Sequence, residues 1–294
     1  MKLTKESIIK DIRDLGVKPG DLILVTADLF EVGFFEKTRT ETLRTWLEIL
    51  LEAVGPQGTI IVAAYTNSFF RFKKNREIIF EKNTLPNSGA LSSAFFYDSR
   101  SVRSKHPTNS CIGIGLYAHE ILNGHDHNTL SYSVTGKIIE MGGKNLMIGT
   151  IDKKNAPMAF HYTQECLGYT LKNPLKGLGQ AFYKDDNGEI KIFTRKDYGG
   201  CSGGAYNLYG SLIVGDAIRF GYIGKAKSAL IDGKESFDII IDVLKKNRRI
   251  TFCDNKYCID CYGNWHTNGL KAIWFYLRNI NRFCVKLFEM LKHT

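Results

Sequence analysis

A histidine and a carboxylate stand one helical turn apart in this sequence, at His161 and Glu165. Pro157 is tolerated only in the first turn of a helix, so we predict that a helix begins near Pro157 and that residues four apart share one face. A carboxylate beside an imidazole fixes its tautomer and stabilises the imidazolium, which suits the pair to deprotonating an amine near neutral pH. The pattern predicts a general base, His161, oriented by Glu165 with Gln164 on the same face. The alternative is an incidental ion pair on a solvated helix.

The segments before this helix alternate between strands and helices. Apolar periodicity predicts helices over 4–15 and 40–54, and buried strands over 22–25, 59–64 and 146–149. Strands joined through a helix form right-handed units of parallel strands. We therefore predict an α/β fold with a mostly parallel central sheet flanked by helices, whose last predicted strand leads into the His161 helix.

The later part of the chain changes character. Asn187 and Gly188 separate two apolar segments, and this pair favours the positive φ angles of a hairpin turn. We predict an added antiparallel β element, a closing helix over 238–246 and a C-terminal helix over 270–291. The chain is thus expected to comprise an α/β core with the catalytic helix (1–175), the antiparallel element with its closing helix (176–252), and a Cys-containing segment with a basic amphipathic helix (253–294).

Composition limits the class of protein. With 294 residues, 44% of them hydrophobic, the chain can bury a large core. Lys plus Arg minus Asp plus Glu, 40 − 30, gives a formal net charge of +10, which favours anionic partners. The sequence shows no secretion signal, no spanning segment of about 20 apolar residues and no nucleic-acid-binding motif, so we expect a cytoplasmic protein without a nucleic-acid partner. Seven cysteines in that setting indicate reduced thiols.

Ser202 lies in a Gly-x-Ser-x-Gly pattern that is typical of the nucleophile of α/β-hydrolases. A nucleophile elbow must follow a buried strand, whereas residues 195–199 are charged and turn-like. We therefore predict that the chain is not a serine hydrolase. The glycine patterns of dinucleotide-binding and P-loop proteins do not occur either.

A cluster near the C-terminus has the residue types of soft metal ligands: Cys253, Cys258, Cys261 and His266. Only Cys258 and Cys261 form the short chelating turn of a zinc module. We therefore expect no metal centre here and keep the four residues as candidates.

The C-terminal helix combines an apolar stripe with a basic face. Five Lys or Arg residues and one Glu give residues 262–294 a net charge of 5 − 1 = +4. Such a helix covers the chain's own core, a second subunit or an anionic membrane surface. We predict docking on the core or a homo-oligomer contact, with peripheral membrane association as the alternative.

Several short motifs, in order along residues 5–250, resemble the aminoglycoside 3-N-acetyltransferase family. They occupy residues 15–21, 55–59, 103–110, 142–149, 161–165 and 223–230. The resemblance implies an acyl-coenzyme A-dependent N-acyltransferase that acts on an amine of a sugar, by direct transfer with His161 as the base. In that family the acid commonly stands three residues after the histidine, where this chain has Gln164.

The resemblance also implies which residues line the cleft. For the co-substrate, a coenzyme A thioester, it points to Ser88, Gly89, Arg103 and Ser110. For the acceptor sugar it points to Asp28, His106 and Asn109. Asp28 falls in a segment where the family usually carries hydroxyl side chains, so a carboxylate replaces them here.

Charge bears on the choice of acceptor. An aminoglycoside is a polycation, which a chain at +10 attracts poorly, whereas a nucleotide-linked amino sugar is an anion. Relatives of the family acylate such sugars for surface polysaccharides. We therefore expect a nucleotide-linked amino sugar as the acceptor. The alternative is an aminoglycoside 3-N-acetyltransferase that confers antibiotic resistance.

Overall fold

The computed structural model describes residues 3–33, 38–75, 77, 79–151, 155–172, 176–264 and 269–292. Within these ranges the chain forms eleven strands: β1 (Leu22–Ala27), β2 (Thr59–Ala63), β3 (Phe69–Phe70), β4 (Ile79–Phe80), β5 (Val102–Arg103), β6 (Cys111–Gly115), β7 (Lys144–Ile148), β8 (Gly179–Lys184), β9 (Ile190–Thr194), β10 (Ile218–Ile223) and β11 (Ala226–Asp232).

The same ranges contain eleven α-helices: α1 (Lys5–Asp14), α2 (Leu29–Val32), α3 (Arg39–Val54), α4 (Ala90–Phe96), α5 (Ala118–Leu122), α6 (Ser133–Glu140), α7 (Met158–Cys166), α8 (Tyr209–Val214), α9 (Gly233–Lys246), α10 (Gly269–Arg278) and α11 (Ile280–Lys292). Short 3₁₀ turns and a π-helical turn at Ile259–Asn264 connect some of them.

The central sheet has seven strands in the order β10-β11-β7-β1-β2-β6-β5. Its middle strands β7, β1 and β2 pair in parallel. β11 and β6 run against them, and the edge strands β10 and β5 pair antiparallel with those neighbours. Five of these seven strands therefore point the same way, which confirms the predicted α/β fold with a mostly parallel central sheet, although the antiparallel neighbours were not predicted.

Side-chain alternation along β1 divides the core into two layers. Ile23 and Val25 contribute to a cluster with buried residues of α1, α3 and α4. Leu22 and Leu24 face the other way, into a cluster with buried residues of α5 to α9. Successive strand residues point to opposite faces, so the buried part of β1, residues 22–25, is apolar at every position and serves both layers.

A smaller second sheet contains the predicted hairpin. β8 and β9 pair antiparallel across the turn at residues 185–188, where Gly188 has φ 80°. β8 also pairs with β3 and β4. β10 and β11, which follow the hairpin in sequence, join the central sheet instead. The three-part division of the chain stays a prediction, and the central sheet draws strands from both sides of residue 176.

The predicted C-terminal helix is two helices, α10 and α11, separated at Asn279. Aromatic side chains of this tail form a partly buried row that contacts Tyr262 and comprises Phe275, Tyr276 and Phe283. The predicted apolar stripe is instead exposed at Ile273, Leu277, Ile280 and Cys284. Oligomer and membrane contact both stay predictions. Among the described residues, no helix has the length and apolar composition that crossing a bilayer requires.

Candidate active site

Helix α7 begins where the sequence predicted, with Pro157 at its N-cap position and Met158 as its first residue. The Met158 N–H donates to the side-chain oxygen of the fully buried Asn145 on β7, at 2.9 Å. Apolar residues Ala159 and Phe160 are buried against the second core layer. This packing leaves His161 half-buried, at the boundary between the core and the surface.

Both ring nitrogens of His161 have a hydrogen-bond partner. The Nδ1–H donates to Gln164 Oε1 at 2.8 Å, and the Ser202 hydroxyl donates to Nε2 at 2.9 Å. The amide oxygen fixes the tautomer that leaves a lone pair on Nε2. The geometry thus presents Nε2 as the nitrogen that can accept a proton from a bound group.

Burial lowers the pKa of His161 to about 4, and the hydrogen bond to Gln164 opposes this shift only in part. Desolvation disfavours the charged imidazolium, and a neutral amide cannot offset it as a carboxylate would. The imidazole is therefore neutral, and able to act as a base, at any pH well above 4.

Glu165 does not orient His161, which corrects the prediction from spacing. Its Oε2 accepts from the Tyr132 N–H at 3.1 Å, and its side chain lies beside the Asp197 carboxyl group. Burial is the main cause and the Asp197 carboxyl group the second, and together they raise the pKa of Glu165 to about 8. A carboxyl group that is mostly protonated at neutral pH cannot stabilise an imidazolium electrostatically. Residues three and four positions apart share a helix face, and here Gln164, three positions after His161, faces the ring.

A loop over residues 197–204 closes the site against the start of α6. Asp197 accepts from both the N–H and the hydroxyl of Ser131, each at 2.7 Å. The ring of Tyr132 stacks on His161 with centroids 5.2 Å apart. A Cβ at Gly199 would lie 2.3 Å from Tyr132 Oη and 3.0 Å from His161 Nδ1. Only glycine allows the loop to lie this close to the two rings.

Ser202 is the site residue that the sequence argument set aside. Its Gly-x-Ser-x-Gly pattern was the available signal, and the absence of a preceding buried strand was the reason to discount it. Residues 197–202 form no strand in the structure, so Ser202 does not sit on a nucleophile elbow. The fold nevertheless brings its hydroxyl to His161.

Arg103 and Ser110 form a buried network, and their contact with coenzyme A stays a prediction. Arg103 donates to Ser110 Oγ, to the carbonyl of Ala64 at 3.0 Å, and to the carbonyls of Lys82 and Thr84. Ser110 donates in turn to the same carbonyl of Ala64 at 2.6 Å. Burial lowers the pKa of Arg103 to about 10. These donors are committed to the chain itself rather than to a phosphate.

His106 and Asn109 are buried as well, and their contact with the acceptor stays a prediction. His106 is 0% exposed, and its Nδ1 accepts from the backbone N–H groups of Thr108 and Asn109 at 3.3 and 3.0 Å. Its ring stacks on His125 with centroids 4.8 Å apart. The His-Pro-Thr motif therefore shapes a buried turn and presents no imidazole to a ligand.

Ser88, Gly89 and Asp28 remain near the surface. Ser88 Oγ accepts from the Tyr65 N–H at 2.6 Å, and Gly89, with φ 100° and open space around it, precedes α4. Asp28 is exposed at the end of β1, where it accepts from the Phe30 N–H at 3.1 Å. Their roles toward coenzyme A and the acceptor stay predictions.

The three cysteines that were candidate metal ligands lie together in the structure, and a fourth cysteine joins them. Cys253, Cys258 and Cys261 lie with Cys201, a residue that the sequence argument did not include. The fourth candidate, His266, lies outside the described residues.

The fold and site define an α/β protein with a neutral, half-buried imidazole whose Nε2 lone pair faces a closing loop. A family model described as aminoglycoside 3-N-acetyltransferase matches residues 24–245, and the chain belongs to this family. The predicted class, an acyl-coenzyme A-dependent N-acyltransferase, is thereby confirmed.

One curated relative and two solved structures illustrate the similarity in sequence and in fold. Aminoglycoside N(3)-acetyltransferase III of Salmonella sp is 25% identical over 272 residues, covering 83% of this chain and 92% of the relative. The structure of AAC-IIIb with CoASH matches with a TM-score of 0.69 at 21% identity, covering 83% of this chain and 97% of that one. AAC-VIa bound to sisomicin matches with a TM-score of 0.68 at 21% identity, covering 84% and 98%.

Proposed function

We propose that this enzyme transfers the acetyl group of acetyl-coenzyme A to an amine of an aminoglycoside, with His161 Nε2 as the general base. The observation that carries the proposal is the fixed tautomer of His161, which leaves a lone pair on Nε2 at a position reached by a polar group, the Ser202 hydroxyl. Similarity to aminoglycoside N(3)-acetyltransferases supports the acceptor class.

The proposed reaction is a direct transfer. Acetyl-coenzyme A supplies an activated carbonyl carbon as its thioester. The acceptor nitrogen forms a bond to that carbon, the carbon–sulfur bond breaks, and the sulfur leaves as the thiolate of coenzyme A. His161 Nε2 takes the proton that the nitrogen loses, and Gln164 keeps the ring in position through Nδ1–H. The proton then passes to the thiolate or to solvent, which restores the neutral base.

The comparisons do not support the nucleotide-linked amino sugar that the net charge suggested. The net charge of +10 belongs to the whole surface, whereas binding a cationic acceptor requires only carboxylates at the binding site itself. Asp28 and Glu31 are exposed at the carboxyl end of β1, and Glu31 lies close to Gly149 at the end of β7. Carboxylates at this edge of the sheet suit an ammonium-bearing ligand.

An assay of paired substrates tests the proposal. Purified enzyme is mixed with acetyl-coenzyme A and either sisomicin or a nucleotide-linked amino sugar, and acceptor-dependent release of free thiol is followed. We expect turnover with sisomicin and none with the nucleotide sugar. Turnover with the nucleotide sugar alone would restore the acceptor predicted from charge, and no turnover with either would overturn the proposed acceptor.

Replacing Gln164 by glutamate is expected to move the acid limb of the kcat/KM profile upward by about 1–2 pH units, because a carboxylate beside an imidazolium raises its pKa by that order. Wild-type His161, with its pKa of about 4, should lose its base form only near that pH. The acceptor amine titrates identically in both proteins, so the difference between the two profiles reports on His161.

Glu165→Gln is the matched control for Gln164→Glu. Glu165 accepts from the Tyr132 N–H and lies beside Asp197 rather than bonding to the ring, so its substitution should leave the acid limb in place. A shift in the Glu165 variant with none in the Gln164 variant would show that the hydrogen bond between Gln164 and His161 does not control the base.

A further inference from the structure

Four cysteine sulfurs converge beside the candidate active site. The Sγ atoms of Cys201, Cys253, Cys258 and Cys261 all lie within 4.8 Å of one another, and all four residues are free thiols. Cys253 and Cys261 have their sulfurs 3.7 Å apart. This is far longer than a disulfide bond of about 2.05 Å. It matches the edge of a tetrahedral zinc site, about 3.8 Å for zinc–sulfur bonds of about 2.3 Å.

Backbone groups support negative charge on these sulfurs. The Gly203 N–H donates to Cys201 Sγ at 3.2 Å, and the Cys253 N–H donates to Cys261 Sγ at 3.4 Å. Hydrogen bonds from backbone N–H groups to the ligand sulfurs are the outer-shell contacts that tune and orient metal-bound thiolates. Cys258 and Cys261 also have the spacing of a chelating turn. Cys258 directly precedes the π-helical turn, and Cys261 lies within it.

Contacts that involve no cysteine hold the two ligand-bearing segments together. A Cβ at Gly204 would lie 2.1 Å from the carbonyl oxygen of Thr251, so only glycine allows this approach. The Tyr206 hydroxyl donates to Asp254 Oδ1 at 2.8 Å. Cys201 and Cys253 are thus placed near each other by the fold, although 52 positions separate them in sequence. Ligands that the fold already holds together need less ordering when a metal binds.

We propose that Cys201, Cys253, Cys258 and Cys261 bind one Zn²⁺ ion, which fastens the tail of the chain to the loop that closes the active site. Four thiolates in tetrahedral reach suit zinc and leave no open coordination position, so the ion is structural. Cys201 immediately precedes Ser202, whose hydroxyl bonds to His161. The loop is then anchored by Asp197 at one end and by the metal near the other. This inference does not depend on which acceptor the enzyme uses.

Metal analysis of the full-length protein, purified without chelators, tests the site. We expect one zinc per chain, and the tetrahedral ligand-field bands of a four-thiolate site after exchange with cobalt. Cys258→Ser and Cys261→Ser should abolish stoichiometric zinc. Cys284→Ser is the matched control, since Cys284 is an exposed cysteine on α11 outside the cluster, and it should retain the ion. Zinc-free wild-type protein that binds no cobalt, or cluster variants that keep their zinc, would overturn the proposal, as would two disulfides among the four residues.

Hydrogen exchange tests the anchoring separately from activity. Removing zinc with a chelator should increase exchange several-fold in peptides over residues 199–207 and 250–262, while peptides of α1 and α3 remain unchanged. Unchanged exchange in the loop after complete zinc removal would refute the anchoring role. If chelation unfolds the whole chain, exchange rises in α1 as well, and the zinc content of the untreated protein and of its cysteine variants still decides whether the four thiols bind metal.

Discussion

His161→Ala is expected to lower kcat/KM for acetyl transfer by about 10² to 10⁴-fold, the usual contribution of a positioned general base. The thermal unfolding midpoint should change little, because the ring is only half-buried and contacts a loop rather than the sheet. The measurement is thiol release at subsaturating acceptor, with coenzyme A binding followed separately by calorimetry. Binding should be retained, because the substitution removes a base rather than a cleft wall.

Two controls accompany this variant. His119→Ala removes an exposed histidine on α5 and should match the wild type. Ser202→Ala removes the hydrogen bond to Nε2 and should cost less than about tenfold if the acetyl group passes directly to the amine, since general-base catalysis remains. A loss in the serine variant as large as that in His161→Ala, together with an acetylated enzyme when acceptor is omitted, would contradict direct transfer.

Arg103→Ala is expected to reduce the free energy of unfolding by about 3–5 kcal/mol, because carbonyl oxygens that are at least partly buried lose a donor, at about 1–3 kcal/mol for each one left unsatisfied. The carbonyls of Lys82 and Thr84 lose the guanidinium, whereas that of Ala64 keeps the Ser110 hydroxyl. The guanidinium also lies over the rings of Phe80 and Phe96, at 5.2 and 5.7 Å from their centroids, so packing is lost too. Chemical denaturation with a common slope measures the change.

Lys105→Ala is the control for this stability prediction. Lys105 carries the same charge two residues away, but it is exposed and pairs with the exposed Asp186. Its substitution should change the free energy of unfolding by less than about 0.5 kcal/mol. A stable Arg103 variant with a raised KM for acetyl-coenzyme A would instead support the coenzyme contact that the resemblance implied.

Local sequence determined the elements of this fold. Apolar periodicity and helix signals located α1, α3, β1, β2 and α7 to within about two residues, because burial pattern and caps act over a few positions. Gly188 predicted the β8–β9 hairpin for the same reason, since a positive φ is a property of one residue. The sequence also singled out His161, because a histidine three or four residues from polar partners on one helix is visible without a structure.

Only the tertiary structure decided which groups meet His161. Helical spacing places Gln164 and Glu165 on one face. That face packs against the start of α6 and the loop over 197–204, and Glu165 there contacts Tyr132 and lies beside Asp197. Ser202 reaches the ring from 41 positions away, and local pattern carries no information on such a contact.

The same limit applied to the buried residues and to the cysteines. A motif fixes the types of Arg103 and His106, but burial depends on the strands and turns that surround them, so a ligand contact was predicted where the chain satisfies its own carbonyls. Cys201 joins Cys253, Cys258 and Cys261 because the closing loop packs on the tail through Gly204. The sequence alone therefore determined residue chemistry and local conformation, whereas long-range packing decided which chemical groups share a site.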